Sequence, residues 1–385
     1  MDITLSLFAG LVASLIYIIW RVTCSQNPKV TLHKRSLIGT SEKDPYKNIT
    51  ALTDFDWAAT SPIKVWPFKP KYHLTMALEN LDMSELIEMD NTYLDRMNLR
   101  RMIMDEHPAA TKQCNKSAES AVFELYDWMV TTYLPMRFPT IYSASGSALL
   151  NSVSHTYMPF HPQSAMAALD VLGEHVDTDF LILLPSSKAA DGSPIYHLQA
   201  FVTCFPSGFS TREKCGKPLA TIHKPVPGYQ SKLEKSMDRF FAKLETGKAV
   251  KRSNWSITTN DQLYSEGGNH LYGDEKQEKP VENAKTLDVD SIDLDDDIIR
   301  QRKDVVIENC RLRCERQTLH RLPKSQALVF AFKTYLYKLS EVKESGAGPE
   351  LAEAIDGLQA GSVPAMAFYK RQVVWGEAVK RYLAS

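Results

Sequence analysis

Apolar positions along the chain change their period several times, and each change marks a change of element. Residues 3–20, ITLSLFAGLVASLIYIIW, carry no charge. A helix rises 1.5 Å per residue, so a stretch of this length spans about 27 Å, close to the hydrocarbon core of a thin bilayer. No basic residue precedes the run, it is long for a signal-peptide core, and no A-x-A site follows it, so a retained membrane anchor is expected. Residues 21–54 are polar without a sustained period and read as a tether, with the folded part expected from about Phe55. Residues 62–74, PIKVWPFKPKYHL, hold three prolines and three aromatics; they should wrap a surface as an arm, forming neither helix nor central strand.

Apolar residues three and four apart predict helices over 82–105 and 117–132, the second block ending at Leu134, Pro135 and Pro139. The period then shortens. Residues 180–184 (FLILL), 197–203 (HLQAFVT) and 219–223 (LATIH) are apolar or alternating runs between Gly, Pro and Ser clusters, the spacing of an antiparallel sheet. Residues 232–244 place Leu233, Met237, Phe240, Phe241 and Leu244 on one helical stripe, which would cover that sheet. Residues from about 259 to 298 are polar and end in DVDSIDLDDD, too acidic to bury itself, and read as a surface insertion. The run lacks the central glycine and terminal glutamate of a calcium-binding EF-hand loop. Residues 309–321 and 327–336 read as a hairpin. Alternation puts Arg311, Arg313, Glu315, Gln317 and Leu319 on one face and Leu312, Cys314, Arg316, Thr318 and His320 on the other. Two closing helices are expected, 349–358 and 364–383, the second capped by Ser362 with Pro364 in its first turn. The class is α+β: an antiparallel sheet packed with helices over residues 55–385, plus one N-terminal transmembrane helix.

Composition narrows the function. The formal net charge is -1 and no Lys/Arg run with interleaved aromatics occurs, so nothing marks a nucleic-acid surface. The six cysteines are dispersed without a CxxC pair, which argues against zinc or iron–sulfur sites and for a reducing compartment. No GxGxxG or P-loop supplies a nucleotide site. Arg21, Lys29, Lys34 and Arg35 follow the apolar stretch while only Asp2 and the amino terminus precede it, which would leave the body cytosolic.

The candidate chemistry centres on residues 219–229, LATIHKPVPGY. Pro225 and Pro227 fix φ and remove donors, so His223 is expected at the end of a stiff extended run, and Gly228 lets the chain turn. An imidazole held in this way suits an axial metal ligand; a histidine that merely bonds backbone is the plainer alternative.

Five segments then carry a resemblance: WPFKPKYHLTMAL (66–78), IHKPVPGY (222–229), RSNW (252–255), ERQTLHRLP (315–323) and YKRQVVWGEAVKRYL (369–383). In this order, over residues 54–383, the chain resembles a haem-dependent oxidative N-demethylase family common in fungal proteins. The resemblance implies a PAS-like antiparallel sheet that binds haem b through a histidine and uses dioxygen and electrons to remove an N-methyl group from an amine or to oxidise a related secondary metabolite. It implies His223 as the iron ligand, with His197 and His320 as competitors. Arg252 and Arg316 are the implied propionate partners, with internal salt bridges as the alternative, and Glu315 is the implied carboxylate near the iron, with a structural role as the alternative. A separate reductase would supply electrons, and the anchor would park the domain on a membrane, such as the endoplasmic reticulum, facing the cytosol. A haem-binding sensor or carrier is the rival reading, and loss of haem with the fold kept is a third.

Overall fold

The computed structural model describes residues 44–272 and 296–385. The apolar stretch 3–20, the tether up to residue 43 and residues 273–295 of the acidic segment lie outside the described residues. Among the described residues no helix is long and apolar enough to cross a membrane.

Strands form where apolar residues alternate. They are β1 (Glu79–Leu81), β2 (Lys112–Cys114), β3 (Tyr142–Ser145), β4 (Ala148–Asn151), β5 (Thr156–Pro159), β6 (Asp179–Lys188), β7 (Pro194–Val202), β8 (Ala249–Thr258), β9 (Arg311–Arg321) and β10 (Leu328–Lys338). The large sheet runs β1-β8-β9-β10-β6-β7-β2 with antiparallel neighbours throughout, and β3-β4-β5 form a small second sheet. The expected 309–321 and 327–336 hairpin is present as β9 and β10, which pair from Arg311↔Lys338 to Arg321↔Leu328. The fold is therefore α+β, a large antiparallel sheet packed with helices, as the periods implied.

Period two decides what each face meets. Phe180, Ile182, Ala200, Val202, Val329 and Ala331 point into a core shared with the helices Tyr93–Glu106, Glu119–Trp128 and Ala165–His175. Leu183 and Leu328, next in the chain to Ile182 and Val329, face the other way and, with Leu198 and Leu319, meet Leu219, Phe241 and Leu244. The helix Glu234–Lys243 covers this second face, as the stripe at 232–244 predicted. At one end, Trp255, Leu312, Cys314 and Tyr335 pack against Trp375 and the C-terminal helices Gly348–Gln359 and Gln372–Ala384. Trp375 is wholly buried, and burying a large apolar side chain contributes roughly 1.5–3 kcal/mol.

Local hydrogen bonding overrides the sequence pattern at several places. Over 82–105 only Met83–Glu85 and Tyr93–Glu106 are helical. Asp90 accepts from Thr92 N at 3.0 Å and pairs with Lys333 at 2.7 Å, while Arg316 donates to the carbonyls of Glu85 and Leu86, so side chains satisfy backbone groups that a helix would have used. The second block does not stop at Pro135. It passes through a π turn, Met129–Tyr133, and continues to Arg137; the wide turn accommodates the proline's missing N–H. The last helix is broken: Ala365–Tyr369 ends at Lys370, and Arg371 adopts φ 60° before Gln372–Ala384 begins. Arg371 donates to Gly268 O and Gln301 Oε1, and Trp375 Nε1 caps the Lys370 carbonyl at 3.0 Å.

Ser362 caps no helix. Its hydroxyl accepts from Leu74 N at 3.0 Å and its N–H donates to Tyr72 O at 2.9 Å, fastening the proline-rich arm across the helix Gly348–Gln359. A Cβ on Gly361 would lie 1.9 Å from Tyr72 O, so glycine is required there by close backbone approach. The packed body also begins before Phe55: Tyr46 and Ile49 are buried, and the Tyr46 ring lies 4.9 Å from Trp128.

The face opposite the cavity described below holds a testable peculiarity. His320 is buried beside Trp128 and Tyr46, and neither ring nitrogen has a hydrogen-bond partner among the described residues. Burial pushes its pKa down to about 3, whereas an unfolded histidine titrates near 6.5. Below about pH 6.5 the unfolded chain binds a proton that the native chain refuses, so stability falls as pH falls. His320→Leu is expected to remove about 2 kcal/mol of the stability lost between pH 7.5 and pH 5. Urea unfolding at the two pH values checks this, and identical slopes for variant and wild type would contradict it.

Candidate functional site

The second face of the large sheet does not close on its covering helices. A cavity of about 320 Å³ remains, within the range of small-molecule and cofactor sites. Its walls are mainly apolar: Leu181, Leu198, Phe330 and Phe332 from the sheet, Met237 and Phe241 from the helix Glu234–Lys243.

His223 stands on this wall, and the local sequence fixes its ring. Residues 219–223 are not extended, as the prolines had suggested, but form a single-turn helix, Leu219–His223. Pro225 and Pro227 stop that helix from running on without preventing its first turn. Gly228 adopts φ 74°, and a Cβ there would meet Val363 Cγ2 at 2.8 Å. The resulting turn stacks Tyr229 on His223, with centroids 4.7 Å apart and planes 17° from parallel. His223 Nδ1 lies 2.9 Å from the Leu219 carbonyl oxygen. Only the Nδ1–H tautomer makes that bond, which leaves the Nε2 lone pair available to a metal. Burial pushes the pKa down to about 4, against the opposing Leu219 bond and assisted by Lys214 and Arg252. At neutral pH the imidazole is therefore uncharged, the state that ligation requires.

Cations dominate the polar part of the wall. The two terminal nitrogens of Arg313 are held by its surroundings, donating to the carbonyls of Phe205, Pro206, Gln262 and Leu263 at 2.9–3.2 Å. Arg252 is different: it makes no hydrogen bond or ion pair with a described residue, and its buried Nε has no partner. Lys214 lies 3.6 Å from the Phe209 ring centroid, and burial pushes it down to about 8. Lys370 is buried, donates to Asn254 Oδ1 at 3.0 Å and to Trp255 O, and sits near the rings of Tyr72 and Trp255. Burial pushes its pKa down to about 7, with Arg252 adding to the effect and Glu315 opposing it. Glu315 is the carboxylate of this group; its Oε2 accepts from Gln317 Nε2 at 2.7 Å. His270 stacks on Tyr369 at 4.4 Å, and burial pushes it down to about 3.

The sequence-derived candidates divide. His223, Arg252 and Glu315 line the one cavity together. Arg316 is on the opposite face of β9, bonded to the Glu85 and Leu86 carbonyls and paired with Glu88 at 3.2 Å. Of the competing histidines, His197 has both ring nitrogens engaged, by Gly216 O at 3.0 Å and Ser187 Oγ at 2.9 Å, and His320 is in the core beyond the sheet. Lys214, His270 and Lys370 were not singled out by sequence. Lys370 lay within a matching segment, at the end of the helix Ala365–Tyr369 and just before the backbone break at Arg371.

These residues suit one kind of metal group. Among the described residues no cluster of three or more His, Cys, Asp or Glu could hold a bare ion. An iron that brings four porphyrin nitrogens needs only an axial imidazole, which His223 Nε2 can provide. The unpaired Arg252 fork matches a propionate carboxylate, and the apolar walls match a macrocycle. Comparison with known families agrees: a family model described as haem-dependent oxidative N-demethylase, alpha subunit-like, matches residues 77–380. That match covers well over half of the chain, and the protein belongs to this family.

Proposed function

We propose that this protein is a haem-dependent oxidoreductase that removes an N-methyl group from a small amine or a related metabolite. His223 would be the axial ligand of haem b and Arg252 a partner of its propionate. The observation that carries this reading is a neutral, tautomer-locked imidazole sharing an apolar cavity with a guanidinium that has no partner among the described residues. When bound, haem supplies dioxygen activation and oxidation of the N-methyl carbon, which leaves as formaldehyde. The chain's own residues do the rest. Tyr229 and the Leu219 carbonyl hold the His223 ring in one orientation. Leu198, Phe330 and Phe332 keep water from the reacting centre. Glu315, buried and free of ion pairs among the described residues, faces the cationic amine.

The antiparallel sheet fits the PAS-like architecture that the family resemblance implies: in space the five long strands run second, first, fifth, fourth, third by chain position. Electrons would come from a separate reductase, because the sequence carries no dinucleotide fingerprint. The apolar residues 3–20 would hold the domain to a membrane of the endoplasmic reticulum on its cytosolic side. The test is formaldehyde release by the haem-loaded full chain, given reductant, dioxygen and a panel of N-methylamines. Release in proportion to reductant consumed is expected; haem binding without formaldehyde from any amine would favour a sensor and overturn the reading.

A further inference from the structure

The cavity wall carries opposite charges that do not meet. Glu315 makes no ion pair within 4.0 Å among the described residues, and neither does Lys370, although both are buried. Register explains their placement. Glu315 on β9 is directly paired with Asn254 on β8, and cross-strand partners have Cβ atoms about 4.5–5.5 Å apart. The Lys370 ammonium is bonded to that same Asn254 through Oδ1. One amide therefore stands between a carboxylate and an ammonium, near enough for a single small molecule to span them. Among the described residues the Lys370 ammonium is satisfied only by neutral oxygens, from Asn254 and Trp255, and by two aromatic faces. A buried cation in such surroundings gains most from a carboxylate that enters with a ligand.

Burial separates the cations by role. Lys214 and Arg252 are half-buried, so either can meet a haem propionate that keeps one side in water. Lys370 is only 2% exposed, so it is poorly placed for a propionate that keeps one side in water. Building on the haem reading above, we propose that the substrate is a zwitterion, a secondary or tertiary N-methylated amino acid, whose ammonium faces Glu315 and whose carboxylate pairs with Lys370. Lys370 is then a substrate-recognition residue. A simple methylamine, a cation without a carboxylate, would leave Lys370 unpaired and gain nothing from it.

The carboxylate at Lys370 could in principle be a haem propionate, and the test separates the two sources. Calorimetric titrations of the haem-loaded full chain would use N-methylglycine, and its methyl ester and acetate as partial probes, with dimethylamine as a cation lacking any carboxylate and haem content read from the Soret band. N-methylglycine is expected to bind at least about tenfold more tightly than either partial probe, a difference of about 1.4 kcal/mol. Lys370→Met should reduce its affinity to that of the ester, and Glu315→Gln to that of acetate, with haem content unchanged in both. The ester or dimethylamine binding as tightly as N-methylglycine to the wild type would overturn the proposal, whether or not a variant folds. So would haem loss in Lys370→Met, which would assign that carboxylate to a propionate. Absence of a Soret band in the wild type would instead defeat the haem reading, so the two failures are distinguishable.

Discussion

Replacing His223 with alanine is expected to lower haem affinity by more than about 100-fold, because losing a neighbour that merely orients a ligand already costs 10–100-fold in metal affinity. The side chain is the only histidine on the cavity wall, among the described residues, whose ring is locked as an Nδ1–H tautomer by a backbone carbonyl. The Soret band should fall or shift in His223→Ala, and free imidazole diffused into the space should restore part of it. His197→Ala and His320→Leu should both retain haem, since the structure puts neither ring in the cavity. A His223→Ala variant with an unchanged Soret band would assign the iron to another ligand. Acid gives a second reading of the same group: with a pKa of about 4, His223 stays neutral through mild acid, so haem affinity should be independent of pH down to about pH 5, and protons should compete for the ring only below about pH 4.

The second large effect concerns stability. Asp179 accepts from Arg100 Nη1 at 2.6 Å and from the backbone N–H groups of Cys204 and Phe205 at 2.9 Å each. Arg100 is completely buried and also donates to the carbonyls of Gly173 and Thr178. Asp179→Ala would strand a buried guanidinium and two buried N–H donors. Breaking such a pair costs about 3–5 kcal/mol, a large part of the roughly 5–15 kcal/mol that holds a domain folded. The same segment is gripped from the cavity side by Arg313, through the Phe205 and Pro206 carbonyls. Loss of Asp179 should therefore loosen one rim of the cavity as well as lower the urea midpoint. A midpoint shift worth less than about 1 kcal/mol would show that water or a rearranged neighbour replaces the carboxylate.

Much of the fold was legible because burial in a sheet imposes period two. The strands β6, β7, β9 and β10 and the helix Glu234–Lys243 follow directly from apolar spacing. The site was legible in part. Alternation along 311–320 already set Glu315 and Arg316 on opposite faces, and the structure keeps that geometry: Glu315 lines the cavity, and Arg316 braces residues 85–88 behind it. A shared sequence segment had suggested both as site residues, but a strand delivers adjacent residues to different surroundings. His223 was visible through its prolines, yet its helical turn was not, because proline's effect depends on which side of the turn it falls. Lys370 was invisible for a different reason. It sits where the closing helix breaks, next to the left-handed Arg371, whose bonds to Gly268 and Gln301 no local pattern encodes.

The central claim is that this cavity holds an iron porphyrin through His223. Titration of the purified full chain with haemin, followed at the Soret maximum, addresses it most directly. Saturation at one haem per chain, with the absorption signature of a histidine-ligated iron, is the predicted result. A titration that never saturates, or that gives only the spectrum of free haemin in buffer, would contradict the account.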